Sequence, residues 1–449
     1  MRKTVKIAVI GGGWAGLAAA TELSAAGVQV VVFESAQQLG GRARSVTTNG
    51  HVLDNGQHIL IGAYHETLRL MQLVGASPKT NLRRLPLELN HPRAGFHLQL
   101  PRLPAPAHLA AGLLFAKGCT LGEKMLAARF MRALQNINYQ LATDSSVAEL
   151  LTQHNQTGSL RKLMWEPLCL AALNTAPENA SAQIFANILR ESLGGQRSDT
   201  ALLLPTNDLN RLFPDPAGQY ITNHGGSIRL STRVDSISSS RQIHGEYFDH
   251  VILATSPHHA AKLMASLPET AAIAETLSTY QYEPIGCAYL GYPATVKLPV
   301  PMLGLEQRKD TALGQWVFDR GMLDGEKGVM SFVLSANGAW DMLDNNELVA
   351  TLHGELEDAL DRRLPPPEWH QVLRERRATF SCRPNLPRPS FKTPLTGIWL
   401  AGDYVYADYP GTLEGAVRSG VAVAHAILAE PSAENSVATP AAPDFPPHS

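Results

Sequence analysis

Cysteine is scarce in this sequence, and no two cysteines lie close together. The four are Cys119, Cys169, Cys287 and Cys382, and neither a CxxC pair nor zinc-like spacing occurs. This spacing argues against a disulfide framework and against a thiolate zinc site. We expect four reduced and mostly buried thiols, as in a cytoplasmic protein.

Charge and long apolar runs are also scarce. Charged residues make up 17% of the 449 residues and the net charge is −2, so no strong field attracts nucleic acid. No apolar stretch reaches the ~18 residues that a membrane-spanning helix needs. The run Val5–Ile10 is too short for a signal peptide and leads at once into Gly11. We expect a cytoplasmic protein whose contact with the membrane is peripheral, on the inner face.

The N-terminal segment has the pattern of a strand, a helix and a second strand. Residues 5–10 predict a buried parallel strand, residues 14–26 a helix and residues 28–33 the next strand. Such a compact βαβ unit begins many nucleotide-binding domains.

A glycine-rich loop connects the first strand to the helix. Gly11, Gly13 and Gly16 form GxGxxG, in which the glycines allow a tight turn, the approach of a pyrophosphate and close packing of helix and strand. Glu34 ends the second strand, where a carboxylate accepts hydrogen bonds from ribose hydroxyls. Together these residues predict a dinucleotide site.

The stretch Leu39–Ser45 adds a basic loop. Gly40 and Gly41 expose backbone N–H groups, and Arg42 and Arg44 alternate along an extended piece. Cations beside a pyrophosphate are physically sensible, but a solvated basic turn explains the pattern equally well. Both interpretations stay open at this point.

A second cofactor motif lies near the C-terminus. Gly402 and Asp403 follow a predicted strand, and the carboxylate suits ribityl hydroxyls, although a turn residue is the alternative. The helix that begins near Leu413 can direct N–H groups at the flavin O2, where negative charge grows on reduction. Two distant motifs that serve one cofactor indicate FAD.

The chain returns to the nucleotide-binding pattern twice, so we predict an α/β fold. A Rossmann-like FAD-binding domain takes residues 1–65, 205–275 and 385–430, and an α+β substrate domain takes the two insertions, 66–204 and 276–384. Residues 431–449 have the composition of a disordered tail. Further predicted elements are helices at 120–142, 346–360 and 413–428 and strands at 227–234, 247–254, 329–334 and 397–401.

Several stretches carry a family resemblance: GGGWAGLAAA, FESAQQLGGRARS, DNGQHIL, VILATSP and LAGDYVYADYPGTLEGAV. Together they resemble the flavin-containing amine oxidase and phytoene desaturase superfamily over roughly residues 5–428. Within it, DNGQHILIGAYHETL and WEPLCLAALNT resemble the hydroxysqualene dehydroxylases of squalene and hopanoid biosynthesis.

The resemblance implies a role for each matching position. Gly11, Gly13 and Gly16 would hold the pyrophosphate, with Gly41 and Arg42 beside it, and Gly402 would shape the turn before Asp403. The remaining implied contacts are Glu34 to the adenosine ribose, the Val234 backbone to the adenine, Asp403 to the ribityl or pyrophosphate region and the Leu413 N–H to the flavin O2.

The implied reaction is the reductive loss of a hydroxyl group from hydroxysqualene, a long isoprenoid alcohol. It needs a hydride from reduced flavin, an acid and a water-poor pocket. The candidate acids are Asp54, His58, Tyr406, Asp408 and Tyr409. Each also has a purely structural interpretation. Asp54 and His58 can support the flavin loop, Tyr406 and Tyr409 can line the pocket, and Asp408 can be an exposed turn residue. We favour Asp408 or Tyr409, because Asp54 and His58 have a flavin-packing role.

Three rival functions remain open. A desaturase would use oxidised flavin on a polyene. The amine oxidase hypothesis has weaker support, because Thr412 occupies the position where such enzymes often have an aromatic residue. A regulatory or chaperone protein that has the flavin-binding fold but no enzymatic activity is the third possibility. The complete set of cofactor-binding glycines argues against it. Only one dinucleotide fingerprint is present, so either an external electron donor supplies the reductant or NAD(P)H binds at a site without that signature. Segment 103–131, with Lys117, Lys124 and Arg129, is either a membrane entrance or an ordinary helical pair.

Overall fold

The computed structural model describes residues 5–305 and 313–430. The predicted tail 431–449 therefore lies outside the described residues. The α-helices in the described part are, in chain order, α1 Trp14–Ala25, α2 His65–Leu73, α3 Pro78–Asn81, α4 Ala107–Phe115, α5 Leu121–Asn136, α6 Val147–Gln153, α7 Gly158–Leu160, α8 Glu166–Leu173, α9 Ala182–Leu193, α10 Leu209–Leu212, α11 Pro214–Asn223, α12 Pro257–Met264, α13 Ala271–Ser278, α14 Asn345–Leu360 and α15 Leu413–Leu428. A π-helical turn, Arg161–Trp165, precedes α8.

The strands form two larger sheets and several short ribbons. In chain order they are β1 Lys6–Ile10, β2 Gln29–Phe33, β3 Ser45–Thr48, β4 His51–Asp54, β5 Leu60–Ile61, β6 Leu82–Leu85, β7 Glu88–His91, β8 Phe96–Gln99, β9 Leu202–Pro205, β10 Ser227–Arg229, β11 Gln242–Ile243, β12 Glu246–Tyr247, β13 His250–Leu253, β14 Tyr282–Gly291, β15 Met302–Gly304, β16 Trp316–Asp319, β17 Val329–Ser335, β18 Trp369–Phe380 and β19 Ile398–Leu400.

The first sheet is parallel and joins distant parts of the chain. Its order is β10-β2-β1-β13-β19, and Val9 at its centre pairs with Val32 on one side and Ile252 on the other. Helices cover a parallel sheet on both faces, which explains why its central strands are continuous apolar runs. Because the strands are parallel, their carboxyl ends meet at one edge, where open α/β sheets bind ligands.

Helices α1 and α15 bring the two ends of the chain together against this sheet. Ten of the twelve residues of α1 are buried, and most are small. A Cβ built on Gly420 of α15 would lie 2.2 Å from the Ala15 carbonyl oxygen. The glycine therefore permits the close approach of the two helices.

The second sheet is antiparallel, in the order β15-β16-β17-β14-β18. Helix α14 packs on one face through Leu352 and Leu356, which share a core with Leu290 and Phe332. The other face turns toward the segment that follows β4, where Tyr289 donates to the Asp54 carbonyl oxygen at 2.8 Å. A parallel α/β unit and an α+β unit in one chain confirm the predicted fold class, whereas the domain boundaries remain a prediction.

Two predicted elements are too long. The helix predicted at 120–142 ends at Asn136, because Asn138 and Tyr139 adopt left-handed backbone angles. The strand predicted at 227–234 ends at Arg229, which leaves Val234 buried but outside the sheet. Ser231 has a φ of +52°, and its N–H bonds to the Ala36 carbonyl, so the chain turns away from the ladder.

Other predictions agree with the structure. The helices at 346–360 and 413–428 appear as α14 and α15. Cys169, Cys287 and Cys382 are buried free thiols, and Cys119 is half-buried and free. None of the described helices is both long enough and apolar enough to cross a bilayer.

Candidate active site

The glycine loop after β1 has the shape of a phosphate cradle. Gly11 has a φ of +113°, and a Cβ on it would lie 2.5 Å from the Ala254 carbonyl oxygen. A Cβ on Gly16 would lie 2.0 Å from the Gly11 carbonyl oxygen. Both glycines are therefore required by the protein itself.

Gly13 is different, because the protein leaves space in front of it. A Cβ on Gly13 would meet just one described neighbour within 4 Å, the Gly41 Cα at 3.8 Å. Gly13 is the N-cap of α1, offers no side-chain cap and is followed by no acidic residue in the first turn. The positive end of the helix thus faces open space, which fits a pyrophosphate.

Glu34 is fixed at the end of β2 by backbone donors. One carboxylate oxygen accepts from the Gly12 N–H at 2.7 Å and the other from the Ala36 N–H at 2.8 Å. The oxygen bonded to Ala36 also accepts from the Ser35 hydroxyl at 3.2 Å, whereas the oxygen bonded to Gly12 keeps a lone pair for a ribose hydroxyl. Its location beside the glycine loop agrees with the adenosine-binding role predicted for it.

Arg42 and Asp403 form an ion pair across the chain. The Arg42 guanidinium lies 2.8 Å from the Asp403 carboxylate and also donates to the Ala378 carbonyl. Burial lowers the pKa of Arg42, but the carboxylate outweighs this effect and leaves the pKa above its ordinary value. The structure therefore brings the two predicted cofactor motifs together, at the edge where β1 and β19 end.

Helix α15 begins at this same edge. Thr412 is its N-cap and accepts from the Gly415 N–H at 3.1 Å, so Leu413 is the first helical residue. Helices leave their first N–H groups without intrahelical acceptors. The Leu413 N–H is thus free of the helix ladder, which fits the predicted contact with the flavin O2.

The loop 403–412 is fixed by residues that the sequence did not single out. Arg388 donates to the carbonyls of Asp403 and Tyr409 at 3.3 and 3.0 Å. Arg418 donates to Glu191 and to the fully buried Glu414, which in turn accepts from the N–H groups that begin α2. Apart from the Arg418–Glu414 bond within α15, these bonds join residues at least 15 positions apart in sequence, and no local motif could have shown them.

The candidate acids on this loop lie in unlike surroundings. Asp408 is exposed to solvent, and its backbone carbonyl accepts from Asn187. Tyr409 is buried, its O–H donates to the Glu191 carboxylate, and burial raises its pKa. Tyr406 is half-buried with its ring edge toward Tyr409. The loop therefore offers one acid in water and one whose proton is already directed at a carboxylate.

Asp54 ends β4, and His58 lies in the segment between β4 and β5. Asp54 is 5% exposed, and one carboxylate oxygen accepts from the Leu209 N–H at 2.9 Å. Burial raises its pKa to about 7. The neighbouring Asn55 bonds to the backbone of Arg42 and Arg44, which connects this segment to the loop beside the pyrophosphate position.

His58 is half-buried beside Asp54. Its Nδ1 lies 2.7 Å from the Gly56 carbonyl oxygen, which holds the ring in place. Burial lowers the pKa of its imidazole, so the ring is neutral at neutral pH. A neutral imidazole can position a substrate or cofactor but is a poor proton donor.

An apolar cavity lies in the helical part of the first insertion. Its volume is about 50 Å³, and it is partly open to solvent. Its twelve lining side chains are all leucine, alanine, methionine or tryptophan. Such a lining suits a hydrocarbon and carries no charged side chain.

Comparison with known proteins agrees with this site. The sequence profile of the family described as flavin containing amine oxidoreductase matches residues 14–428. The chain belongs to this family. As a member of this flavin amine oxidoreductase family it is an FAD-dependent oxidoreductase.

Three curated relatives match nearly the whole chain. Hydroxysqualene dehydroxylase of Rhodopseudomonas palustris is 27% identical over 96% of this chain and 99% of its own length. Hydroxysqualene dehydroxylase of Sinorhizobium fredii is 27% identical over 94% and 98%. Zeta-carotene desaturase of Synechocystis is 24% identical over 95% and 97%.

Solved structures show the same family fold. Wild-type putrescine oxidase bound to putrescine aligns with a TM-score of 0.68 and 16% identity over 95% of this chain and all of the other. Cyclohexylamine oxidase from Brevibacterium oxydans aligns with a TM-score of 0.65 and 18% identity over 95% and 99%. At this identity the likeness concerns the fold alone.

Proposed function

We propose that this family member converts hydroxysqualene to squalene by reductive dehydroxylation in squalene and hopanoid biosynthesis. The observation that carries the proposal is the near full-length similarity to hydroxysqualene dehydroxylases. The apolar cavity agrees with it, because this substrate is a hydrocarbon apart from one hydroxyl group.

The overall reaction replaces an allylic C–O bond with a C–H bond. Reduced FAD, when bound, supplies the hydride, and an external donor supplies the two electrons for each turnover. A protein acid protonates the hydroxyl group, which leaves as water. The residues of the chain therefore have to hold one proton beside the substrate and keep bulk water away.

We propose Asp54 as that acid, in place of the Asp408 or Tyr409 favoured on sequence grounds. Burial raises the pKa of Asp54 to about 7, so a substantial fraction carries a proton at neutral pH. The Leu209 N–H fixes one oxygen and leaves the other for the substrate. Asp408, in contrast, is in water, and the Tyr409 O–H already donates to Glu191.

The rival functions are less well supported. An amine substrate needs an aromatic or acidic partner for its cation, and Thr412 occupies the start of α15 and caps it. A desaturase would use the same fold and an equally apolar cavity, so the product of the reaction has to decide between the two.

An anaerobic single-turnover assay makes that decision. We expect holoenzyme, pre-reduced with dithionite and mixed with hydroxysqualene, to give squalene and one equivalent of oxidised flavin. The product is identified by mass spectrometry and the flavin by its absorbance. A product that keeps its oxygen and gains a double bond with oxidised enzyme would favour the desaturase instead.

We also propose that the hairpin of α4 and α5 contacts the membrane peripherally. Leu114, Phe115, Leu121 and Met125 are exposed there, with Phe115 at 75%. Lys117, at the tip, is exposed as well and can approach anionic lipid. A water-insoluble substrate has to enter from a bilayer, which makes the membrane the expected partner of this surface.

One of the predicted basic residues has another task. The Lys124 ammonium donates to the Leu114 and Ala116 carbonyls at 2.7 Å each, and so it caps the end of α4. Charge reversal at Lys124 would disrupt the hairpin itself. A test of membrane binding is therefore better made with the exposed apolar side chains.

The double variant Leu114→Ser/Phe115→Ser is expected to bind anionic liposomes at least tenfold more weakly, because each apolar side chain contributes about 1.5–3 kcal/mol when it leaves water. Co-sedimentation measures the effect. Met342→Ser, which removes an equally exposed apolar side chain elsewhere, serves as the control. Equal binding of the double variant and the wild type would contradict the membrane contact.

A further inference from the structure

We infer that the cavity between α4, α5 and α8 is the binding site for the terminal end of one arm of the substrate. This inference rests on the proposed function, since it assigns a place to one end of a long isoprenoid chain. It also identifies Ala127 as a residue that sets how much of the chain fits.

The walls of the cavity come from both sides of the helical insertion. Leu109 and Leu113 of α4 and Ala127 of α5 form one wall, and Trp165 and Leu168 form another. Folded interiors rarely leave voids larger than a water molecule, and an apolar void that stays open binds apolar ligands. A partly open space of about 50 Å³ with a carbon lining therefore fits the end of a hydrocarbon chain.

Helix α9 connects the cavity to the flavin-binding loop. Leu193 lines the cavity, while Glu191 and Asn187 of the same helix bond to Tyr409 and to the Asp408 carbonyl. Six residues of helix, from Asn187 to Leu193, span about 9 Å. The cavity thus lies a short distance from the loop that precedes α15.

Helix α8 makes a second connection of the same kind. Leu168 lines the cavity, and Asn174 just after the helix donates to the Thr379 hydroxyl at 3.0 Å. A Cβ on Gly411 would lie 3.0 Å from the Thr379 side chain and 3.3 Å from the Asp403 carboxylate. A chain whose middle reacts at the flavin can therefore place one end in the cavity.

The hairpin of α4 and α5 separates this cavity from solvent. Its inner residues Leu113 and Ala127 line the cavity, and its outer residues Leu114 and Phe115 form the exposed apolar surface. The cavity and the exposed apolar surface therefore lie on opposite sides of the same hairpin.

The variant Ala127→Phe tests the assignment, because its ring would fill part of the cavity. We expect the KM of this variant for hydroxysqualene to rise at least tenfold. A shortened allylic alcohol that lacks the terminal isoprene units of both arms does not reach the cavity, so its kcat/KM should stay within twofold of the wild-type value. Ala128→Phe makes the same change at an exposed neighbouring position and is the matched control. Leu168→Phe, on the opposite wall, repeats the test if Ala127→Phe folds poorly.

Binding of squalene gives a readout that does not depend on turnover. Trp165 lies in the wall, so squalene dispersed in mild detergent should change the tryptophan emission of the holoenzyme in a saturable way. The change should be absent in Trp165→Phe and weakened at least tenfold in Ala127→Phe.

The outcomes separate the inference from the proposed function. Normal turnover with an unchanged KM in both cavity-filling variants would overturn the inference alone. Saturable squalene binding that is lost in Ala127→Phe, without any turnover of hydroxysqualene, would support the cavity and contradict the proposed function. No saturable signal and no turnover would contradict both.

Discussion

Replacement of Gly13 by valine is expected to give a folded protein that has lost its flavin. The φ of Gly13 is −79°, which any residue can adopt, and the nearest neighbour of an added Cβ is 3.8 Å away. The protein can therefore accommodate the side chain. A pyrophosphate bound in front of the N-terminus of α1, as the glycine motif predicts, could not share this space with a valine side chain.

The flavin content of the purified Gly13→Val protein should fall at least tenfold, as measured by absorbance after denaturation. Circular dichroism and the unfolding midpoint of the protein freed of flavin should match those of similarly treated wild type. Gly354→Val, in which the added side chain meets nothing within 4 Å, controls for the substitution itself. A Gly13→Val protein that is as yellow as the wild type would place the cofactor elsewhere.

Asp54→Asn is expected to lower the rate of dehydroxylation by about 10²–10⁴, the usual contribution of a positioned general acid. The amide oxygen can still accept from the Leu209 N–H, so the local structure should persist. The rate is measured by stopped-flow oxidation of reduced flavin on addition of hydroxysqualene. Flavin content, determined in parallel, separates lost chemistry from lost cofactor.

Asp408→Asn and Tyr409→Phe are the matched comparisons for Asp54→Asn. Asp408 is exposed, so its variant should keep the wild-type rate. Tyr409→Phe loses the bond to Glu191 and should affect flavin content or stability more than the chemical step. A flavin-replete Asp54→Asn enzyme of normal rate, beside an inactive Asp408→Asn or Tyr409→Phe enzyme, would return the acid to the 403–412 loop.

The raised pKa of Asp54 also predicts a pH dependence. An acid has to be protonated before it can act, so the rate of the wild type should fall as the pH rises through about 7. The native protein binds this proton more tightly than the unfolded chain, whose ordinary value is 3.8, so the contribution of Asp54 to stability declines between about pH 4 and pH 7. Asp54→Asn should lack both effects.

Short motifs could be predicted from the sequence, because the conformations that they need are set by residues nearby in the chain. Gly11 and Gly16 are needed by their immediate neighbours, and Glu34 ends the strand that follows α1. The structure places these residues where the spacing indicated. The helix α15 was also predictable, since its apolar periodicity and Thr412 cap are both contained in one short stretch.

Residues whose role depends on distant contacts could not be predicted. The ends of α5 and β10 are set by left-handed residues such as Asn138 and Ser231, which no motif indicated. The choice between Asp54 and Asp408 depends on which carboxylate is buried, and burial is a property of the assembled fold. Glu191 and Arg418 bond to partners across the molecule and have no local signal.

The parallel sheet has a consequence for synthesis of the chain on the ribosome. Its strand β1 is made among the first residues, but β19 and α15 follow almost the whole of both insertions. At about 5–20 residues per second, β1 and α1 wait for ~20–80 s before their last partners emerge. During that time the apolar face of α1 that α15 later covers remains open, and contacts of such long sequence separation form slowly. The nascent protein should therefore depend on chaperones more than its final stability would indicate.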